Sequence, residues 1–164
     1  MKDFYKFLAD YNIEYERHDH PAVYTVEEAE RLVPPLPGAK SKNLFLRDKK
    51  GVRHFLVVVP AQKKVNIKAL PEVVGSSRLS FGPPRRLEKY LGLEPGSVTL
   101  LAIFNDPDQH VEVFIDRELW EAEAFNFHPL VNTSTLVITR NNLQRFIDAT
   151  GHAIQVVDVP GQAD

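Results

Sequence analysis

Cysteine is absent from this 164-residue sequence, which excludes disulfides, thiolate zinc sites and a cysteine nucleophile. Long apolar runs are absent too: no segment reaches the roughly 18 apolar residues that a membrane-spanning helix needs. The first residues, MKDFYKFLADYN, lack the apolar run of a signal peptide. We therefore expect a soluble, cytoplasmic protein without membrane association, and the length fits one domain over residues 1–164.

Several catalytic motifs are missing as well. The sequence contains no GxSxG, P-loop or GxGxxG pattern, so nothing points to a nucleophile elbow or a nucleotide-binding loop. His18 and His20 share one face of a predicted strand and could chelate a metal, which makes a metal hydrolase one alternative. No HExxH motif or carboxylate triad accompanies them, and we therefore expect no metal and no other cofactor.

The net charge of −2 conceals an uneven distribution. Residues 40–90 contain 13 Lys or Arg residues and three acidic residues, whereas the rest of the chain contains seven basic and 19 acidic residues. The segment therefore carries a net charge of +10 and the remainder −12. This asymmetry indicates a basic face that binds a polyanion, although a solvated surface rich in lysine has the same composition.

Apolar periodicity and turn residues predict interleaved helices and strands. Thr25 and Glu28 form a capping box at one helix start, and Gly92 and Gly151 end two later helices. Helices are predicted at 3–11, 25–33, 65–75, 83–92 and 139–151, and strands at 13–19, 42–60 (a hairpin), 110–116 and 153–159. The pattern is typical of an α+β domain with one curved mixed sheet, partly barrel-like, and flanking helices.

Two segments place polar or flexible residues beside a strand or a turn. Lys42 and Asn43 lead directly into a buried strand, where the lysine either snorkels to solvent or holds a phosphate or carboxylate at the mouth of a pocket. Pro95 and Gly96 form a turn whose successive backbone N–H groups could bind an anion, or which merely reverses the chain. The residues alone do not decide between a structural role and a ligand-binding role for Lys42 or for the Pro95–Gly96 turn.

A third segment, FNFHPLVNTSTLVITRNN, interrupts apolar sequence with polar residues. His128 precedes a proline and is therefore biased toward extended geometry at the end of a strand. Lone histidines are commonly structural, but Asn132 and Thr133 add further donors to the same short stretch. The sequence therefore allows either a structural histidine or one that faces a pocket.

Three longer stretches, KNLFLRDKKGVRHFLVVV, SSRLSFGPPRRLEKYLGLEPGSVT and HPLVNTSTLVIT…FIDATGH, together resemble the YbaK-like family of aminoacyl-tRNA editing domains. Within the family they are most similar to free-standing prolyl-tRNA synthetase-associated proteins that deacylate alanyl-tRNA(Pro). The likeness extends from HPAVYTVEEAE to ATGH and keeps the motifs in the family's order.

The resemblance implies a role for individual residues. Lys42 matches the lysine that deacylation requires, and Gly96 opens a glycine loop of pattern G-x-x-x-P that lies against the reacting ester. Leu100 stands here where the family has proline, and His128 matches a histidine of the amino-acid pocket. The implied catalytic residues are thus Lys42, Gly96 and His128. The implied substrate-binding residues are Asn43, Ser97, Thr99, Leu100, Asn132 and Thr133, and the implied tRNA-binding residues are Lys40, Arg85 and Arg86.

The function implied is trans-editing, the hydrolysis of the ester of mischarged tRNA(Pro) that carries alanine. An aminoacyl ester is already activated, so a positioned water and backbone donors to the oxyanion suffice. The expected partners are mischarged tRNA(Pro) and, in addition, prolyl-tRNA synthetase. Two alternatives stay open: a deacylase for another amino acid such as cysteine or serine, and a catalytically inert module that binds tRNA or synthetase, which the loss of the loop proline favours.

Overall fold

The structure is a computed structural model that describes residues 3–162. The helices of this part of the chain are α1 (Phe4–Asp10), α2 (Val26–Leu32), α3 (Leu70–Val74), α4 (Pro84–Leu91), α5 (Arg117–Trp120), α6 (Arg140–Thr150) and a 3₁₀ helix (Leu100–Asn105). The strands are β1 (Glu16–Asp19), β2 (Ala39–Arg47), β3 (His54–Pro60), β4 (Ser80–Phe81), β5 (Val111–Asp116), β6 (Ala124–Phe127), β7 (Ser134–Thr139) and β8 (Ile154–Val157).

The strands form one mixed sheet in the order β1-β7-β6-β2-β3-β5-β8, and β4 pairs with β2 beside that path. The pairs β2–β6, β3–β5 and β5–β8 are parallel, and the others are antiparallel. β1 and β8 lie at the two ends, so the sheet is open and not a closed barrel. The predicted α+β fold with a mixed sheet and helices is confirmed.

Strand β2 joins the two parts of the sheet. Its first residues, Ala39 and Lys40, pair with β6, whereas residues 41–47 pair with β3. The strand therefore changes partner just before Lys42 and Asn43. At such a change the strands on either side diverge, and side chains from both parts of the sheet meet around one opening.

The apolar core lies on both faces of β3, as the unbroken run of apolar residues at 55–59 predicts. Leu56 and Val58 join a large cluster with the 3₁₀ helix and α6, and the alternate residues Phe55, Val57 and Val59 join a smaller cluster with α3. This alternation, with a period of two residues, is the expected geometry of a strand covered on both faces. The core therefore fixes β3, and through it β2, as a rigid base for the site.

Local sequence signals predict several elements correctly. The Thr25 hydroxyl accepts from the Glu28 N–H at the start of α2, which confirms Thr25 as the N-cap of the predicted capping box, and the Glu28 carboxylate accepts from the Thr25 hydroxyl. Gly92 and Gly151 end α4 and α6 with positive φ angles of 64° and 84°. The predicted hairpin is also present: β2 and β3 pair antiparallel around Asp48, whose carboxylate accepts from two N–H groups of the turn.

Some predicted boundaries differ from the structure, and two short helices are not predicted. β1 begins at Glu16 and not at Ile13, because Asn12 adopts a left-handed conformation (φ 56°) and Ile13 packs into the core ahead of the strand. α3 includes only Leu70–Val74 of the helix predicted at 65–75. The 3₁₀ helix and α5 carry no amphipathic pattern long enough to predict them, since both are shorter than two turns of α-helix.

No helix among residues 3–162 is long and apolar enough to cross a membrane. The longest, α6, has 11 residues.

Candidate functional site

An open cleft of about 360 Å³ lies where β2 changes partner. Its walls come from four separate parts of the chain: the segment that leads into α2, strand β2, the loop before the 3₁₀ helix, and the residue that follows β6. The residues that line the cleft include Tyr24, Lys42, Asn43, Gly96, Val98 and His128. The three residues that the sequence predicts to be catalytic, Lys42, Gly96 and His128, therefore meet in one cleft.

A smaller cavity of about 80 Å³ adjoins this cleft. Val26, Ala29, Ser41, Asn43 and His128 line both spaces, which makes the two continuous. The lining of the smaller cavity is mainly apolar, with a few polar groups. A cavity of this kind can select a small apolar group by size, while the wider cleft accepts the rest of a larger molecule.

Lys42 lines the cleft and is half-buried. Its Nζ donates to the carbonyl oxygen of Lys63 at 2.5 Å. Lys63 is itself held by an ion pair of 2.7 Å with the buried carboxylate of Asp116. Burial lowers the pKa of the Lys42 ammonium. One of its three N–H groups is thus engaged, and the others remain for an anionic ligand.

Asn43 connects strand β2 to the glycine loop. Its Oδ1 accepts from the backbone N–H of Leu100 at 2.8 Å. Its side-chain amide also lies 3.5 Å from the Ser41 hydroxyl, on the same strand. Proline has no N–H, so this hydrogen bond requires a residue other than proline at position 100. The loop is therefore fastened by a side chain where a proline would stiffen the backbone.

Gly96 has a φ of +89°, a conformation that favours glycine. A Cβ at this position would lie 2.7 Å from the ring of Tyr24, so the glycine lets the aromatic ring rest directly on the loop backbone. In the described part of the chain, the N–H groups of Gly96 and Val98 donate to no protein acceptor. Two backbone donors are thus present beside the cleft, and free N–H groups of this kind can stabilise an oxyanion.

His128 directly follows β6, as predicted, and lines both the cleft and the smaller cavity. Its Nδ1 lies 3.0 Å from the carbonyl oxygen of Ser134. A carbonyl only accepts, so Nδ1 carries the proton and Nε2 keeps its lone pair in the neutral ring. Burial lowers the pKa of His128, which favours this neutral form at pH 7. The residue can accept a hydrogen bond from a water or a hydroxyl.

His20 lies close to His128, with their ring centroids 6.2 Å apart. Its two ring nitrogens contact the carbonyl of Pro21 and the hydroxyl of Thr135, each at 2.8 Å. No group of three His, Cys, Asp or Glu side chains within residues 3–162 has the geometry to hold a metal. His18 does not join His20 as a ligand pair in such a group.

The remaining residues that the resemblance implies for substrate binding have structural contacts. Thr99 is fully buried and its hydroxyl accepts from the Leu101 N–H at the start of the 3₁₀ helix. The Leu100 side chain is also fully buried and belongs to the large core cluster. The Ser97 N–H closes the turn on the Glu94 carbonyl. These contacts set the shape of the glycine loop from within.

Asn132 and Thr133 fasten a different part of the wall. The side-chain amide of Asn132 donates to the carbonyl of Val23, and the Asn132 carbonyl accepts from the Val23 N–H. The carbonyl of Thr133 accepts from the His20 N–H. Neither residue is among the described residues that line the cleft or the smaller cavity. They hold the segment that carries Tyr24 in place.

The three predicted tRNA-binding residues lie in different surroundings. Lys40 is exposed at the rim of the smaller cavity, and Arg85 is exposed on α4. The guanidinium of Arg86 is half-buried and its Nη1 contacts the Gly51 carbonyl at 2.8 Å and His54 Nε2 at 2.9 Å. Arg86 thus ties α4 to the β2–β3 hairpin, whereas the side chains of the other two are exposed and form no ion pair within residues 3–162.

Several lining residues escape the sequence analysis. Tyr24, Val26, Ser41, Val98 and Thr135 line the cleft or the smaller cavity, but none of them stands in a local pattern that separates it from an ordinary surface or core residue. Tyr24 is 66% exposed, and this unusual exposure of an aromatic ring cannot be read from the sequence. These residues become functional candidates through the fold alone.

Matches to known proteins extend over most of the chain. A family model described as the aminoacyl-tRNA editing domain matches residues 20–146. The chain is 36% identical over 152 residues to the prolyl-tRNA editing protein ProX of Acetoanaerobium sticklandii, covering 93% of each chain. It is 38% identical over 153 residues to the prolyl-tRNA synthetase associated domain-containing protein 1 of Danio rerio, covering 92% of this chain and 83% of the relative.

A solved structure has the same fold. A candidate trans-editing enzyme for prolyl tRNA synthetase superposes with a TM-score of 0.64 at 16% identity, covering 96% of this chain and 98% of that chain.

Proposed function

We propose, on the premise that this chain belongs to the aminoacyl-tRNA editing domain family, that it hydrolyses the ester of mischarged tRNA(Pro) that carries alanine. The match of the family model to residues 20–146 confirms the YbaK-like resemblance seen in the sequence. The observation that carries the proposal is the convergence of Lys42, Asn43, Gly96 and His128 on one cleft. The reaction adds water across the ester bond and releases the amino acid and the free 3′ hydroxyl of the tRNA.

The wider cleft is suited to the terminal adenosine, and Lys42 to a phosphate of the tRNA 3′ end. Its ammonium is half-buried and forms no salt bridge with any described carboxylate. An anion that approaches therefore meets an uncompensated positive charge in a partly desolvated place, where the attraction is stronger than in water. The contact with the Lys63 carbonyl holds the ammonium in position before the substrate arrives.

The glycine loop is suited to the developing oxyanion. The free N–H groups of Gly96 and Val98 lie beside the cleft, and the loop that carries them is fastened to β2 by the Asn43–Leu100 hydrogen bond. Donors fixed in this way need not reorganise when charge develops on the ester oxygen. An activated ester then requires only a positioned water, and no side-chain nucleophile.

His128 is suited to positioning that water. With Nδ1–H donating to Ser134, the Nε2 lone pair can accept from a water molecule or from the 2′ hydroxyl of the terminal adenosine. Its lowered pKa keeps the ring neutral and the acceptor available at neutral pH. The histidine also forms part of the wall of the smaller cavity.

The smaller cavity is suited to the amino-acid side chain. A synthetase pocket that accepts proline cannot strongly exclude the smaller alanine, since one or two methylenes change binding by only about 1–3 kcal/mol. A second site of small volume solves this problem, because it admits alanine and rejects proline by size. Val26, Ala29 and His128 supply the wall that sets this limit.

Exposed Lys and Arg side chains of the segment 40–90 are suited to binding the phosphates of the tRNA backbone. Lys40 lies at the rim of the cavity, so it is placed to contact a phosphate near the 3′ end. Arg85 lies on α4, farther along the chain, and would contact the acceptor stem. Association with prolyl-tRNA synthetase is part of the proposal, because it would bring the mischarged product directly to the cleft.

A panel of mischarged tRNAs tests the proposal. We expect the protein to deacylate alanyl-tRNA(Pro) faster than the seryl and cysteinyl forms and to spare prolyl-tRNA(Pro). A protein that binds these tRNAs but hydrolyses none of them would be an inert binding module. Faster hydrolysis of the seryl or cysteinyl form would retain the reaction and change its substrate.

A further inference from the structure

Phe81 is unusual among the phenylalanines of this chain. Nine of the ten phenylalanines are buried or partly buried, whereas Phe81 is 61% exposed. Its strand, β4, has only two residues and pairs with β2 opposite Leu46. An exposed aromatic ring on so short an element contributes little to the core, so its side chain is free to bind something else.

The backbone holds β4 in place independently of the Phe81 ring. The Gly82 N–H donates to the Phe45 carbonyl at 2.9 Å. A Cβ at Gly82 would lie 2.4 Å from the Phe45 ring, so the glycine backbone rests directly on that ring. Truncating the Phe81 side chain should therefore leave the strand and its pairing intact.

A hollow of about 290 Å³ lies beside the Phe81 ring. Its wall is largely apolar and includes two aromatic residues and two prolines: Phe45, Phe81, Pro84 and Pro95. Flat apolar walls of this kind suit a planar heterocycle, since every nucleobase has a π-face that stacks on aromatic side chains.

The hollow adjoins the functional cleft. Asn43, Gly96 and Val98 line both spaces, so the glycine loop separates them as a thin partition. A strand of RNA that places its last nucleotide in the cleft would carry the preceding nucleotide past this partition. Arg85 follows Pro84 in the sequence, is exposed and lines a separate hollow with Lys89, so it adds positive charge on α4 and not at the partition itself.

From these observations we infer that the Phe81 hollow is a nucleobase subsite, which stacks the base of the penultimate nucleotide of the tRNA 3′ end. The inference rests on the proposed function, because it places the terminal adenosine in the cleft. The surrounding net charge of +10 in the segment 40–90 favours a nucleic acid over a second copy of this chain as the occupant. The subsite would add affinity and set the register of the 3′ end without touching the ester.

The test compares two RNA oligonucleotides that end in CCA, one intact and one with an abasic penultimate nucleotide. Fluorescence anisotropy gives the Kd of each for wild type, Phe81→Ala and Phe81→Trp. Stacking of one base changes the Kd by about 5- to 150-fold. We expect wild type and Phe81→Trp to lose this factor with the abasic oligonucleotide, and Phe81→Ala to bind both oligonucleotides equally weakly.

A control separates the subsite from general damage to the surface. Tyr11 is an exposed aromatic at the end of α1, outside the cleft and the hollow, and Tyr11→Ala should bind like wild type. Equal binding of the intact and abasic oligonucleotides by wild type would overturn the subsite. So would unchanged binding of the intact oligonucleotide by Phe81→Ala.

Hydrolysis of the alanyl ester of adenosine distinguishes this inference from the proposed function. The small ester lacks the penultimate base, so Phe81→Ala should hydrolyse it at the wild-type rate. If wild type hydrolyses neither this ester nor alanyl-tRNA(Pro), the proposed function fails, and the oligonucleotide measurements still decide the subsite. If Phe81→Ala slows the small ester as much as the full tRNA, the ring acts on the cleft and the subsite is wrong.

Discussion

The side-chain oxygen of Asn43 accepts a hydrogen bond of 2.8 Å from the backbone N–H of Leu100, across 57 positions of sequence. This bond joins the strand that carries Lys42 to the loop that carries Gly96, two of the groups assigned to the reaction. A proline at position 100 could not form it. The chain therefore uses a side chain of β2 to hold the loop in place.

A double-mutant cycle of Asn43→Ala and Leu100→Pro tests this replacement. Thr99 is already extended (φ −151°, ψ 145°) and position 100 opens the 3₁₀ helix, so the backbone accepts a proline there. Asn43→Ala alone should lower the free energy of unfolding by about 1–3 kcal/mol, because it leaves the Leu100 N–H without its partner. In the Leu100→Pro background the same change should cost less, since no N–H remains to be satisfied.

Leu100→Ala is the control for that cycle. It removes the buried leucine side chain but keeps the N–H, so the cost of Asn43→Ala should be the same as in wild type. Equal costs of Asn43→Ala in the wild-type and Leu100→Pro backgrounds would show that the bond contributes nothing to stability.

Lys42→Ala should reduce the deacylation of alanyl-tRNA(Pro) by about 10²–10³-fold, the size of effect expected when a charge-stabilising donor is lost. The thermal midpoint should change little, because the ammonium is only half-buried and its one protein partner is a backbone carbonyl. Lys64→Ala removes an exposed charge from the same basic segment and serves as the control. A folded Lys42→Ala variant with the wild-type rate would make Lys42 a snorkelling surface lysine.

Gly96→Ala should impair the cleft beyond its effect on stability. An alanine with positive φ costs about 1–2 kcal/mol of backbone strain, and its Cβ would also push against the Tyr24 ring. Gly75 has a similar φ of 72° with open space around it, so Gly75→Ala carries the strain without the collision. Both variants should lose stability, but only Gly96→Ala should deacylate at least about tenfold more slowly. Similar rates in the two variants would argue against a role for the Tyr24–Gly96 contact.

Charge reversal on α4 should separate binding from folding. Arg85→Glu should weaken tRNA binding and reduce the slope of log Kd against log salt by about one phosphate contact, without a change in thermal midpoint. Arg86→Glu should also lower the midpoint, because the Arg86 guanidinium contacts the Gly51 carbonyl and His54. Binding that does not depend on salt would contradict the basic face inferred from the segment 40–90.

The elements that the sequence predicts correctly are those that local rules determine. The capping box of Thr25 and Glu28, the hairpin around Asp48 and the glycine that ends α6 each depend on residues a few positions apart. The position of His128 at the end of a strand, directly before proline, also follows from a local effect. Their physical causes lie within the segment itself.

The cleft could not be predicted in this way, because its contacts join distant segments. The Tyr24 ring meets Gly96, and Asn43 meets Leu100, only after β2 and the glycine loop have packed together. The sequence does indicate the missing proline and the freed N–H of Leu100. It does not indicate that the Leu100 side chain is buried in the core. Nor does it indicate that Val98, and not Leu100, lines the cleft.

The most direct test of the account is the ratio of alanyl-tRNA(Pro) to prolyl-tRNA(Pro) deacylation rates in wild type and in His128→Ala. His128 forms part of the wall of the smaller cavity, so its truncation enlarges the space that should exclude proline. We predict that wild type hydrolyses the alanyl form and spares the prolyl form, and that His128→Ala brings the ratio closer to one. If His128→Ala leaves both rates and their ratio unchanged, the histidine is structural and the cavity is not the site that selects the amino acid.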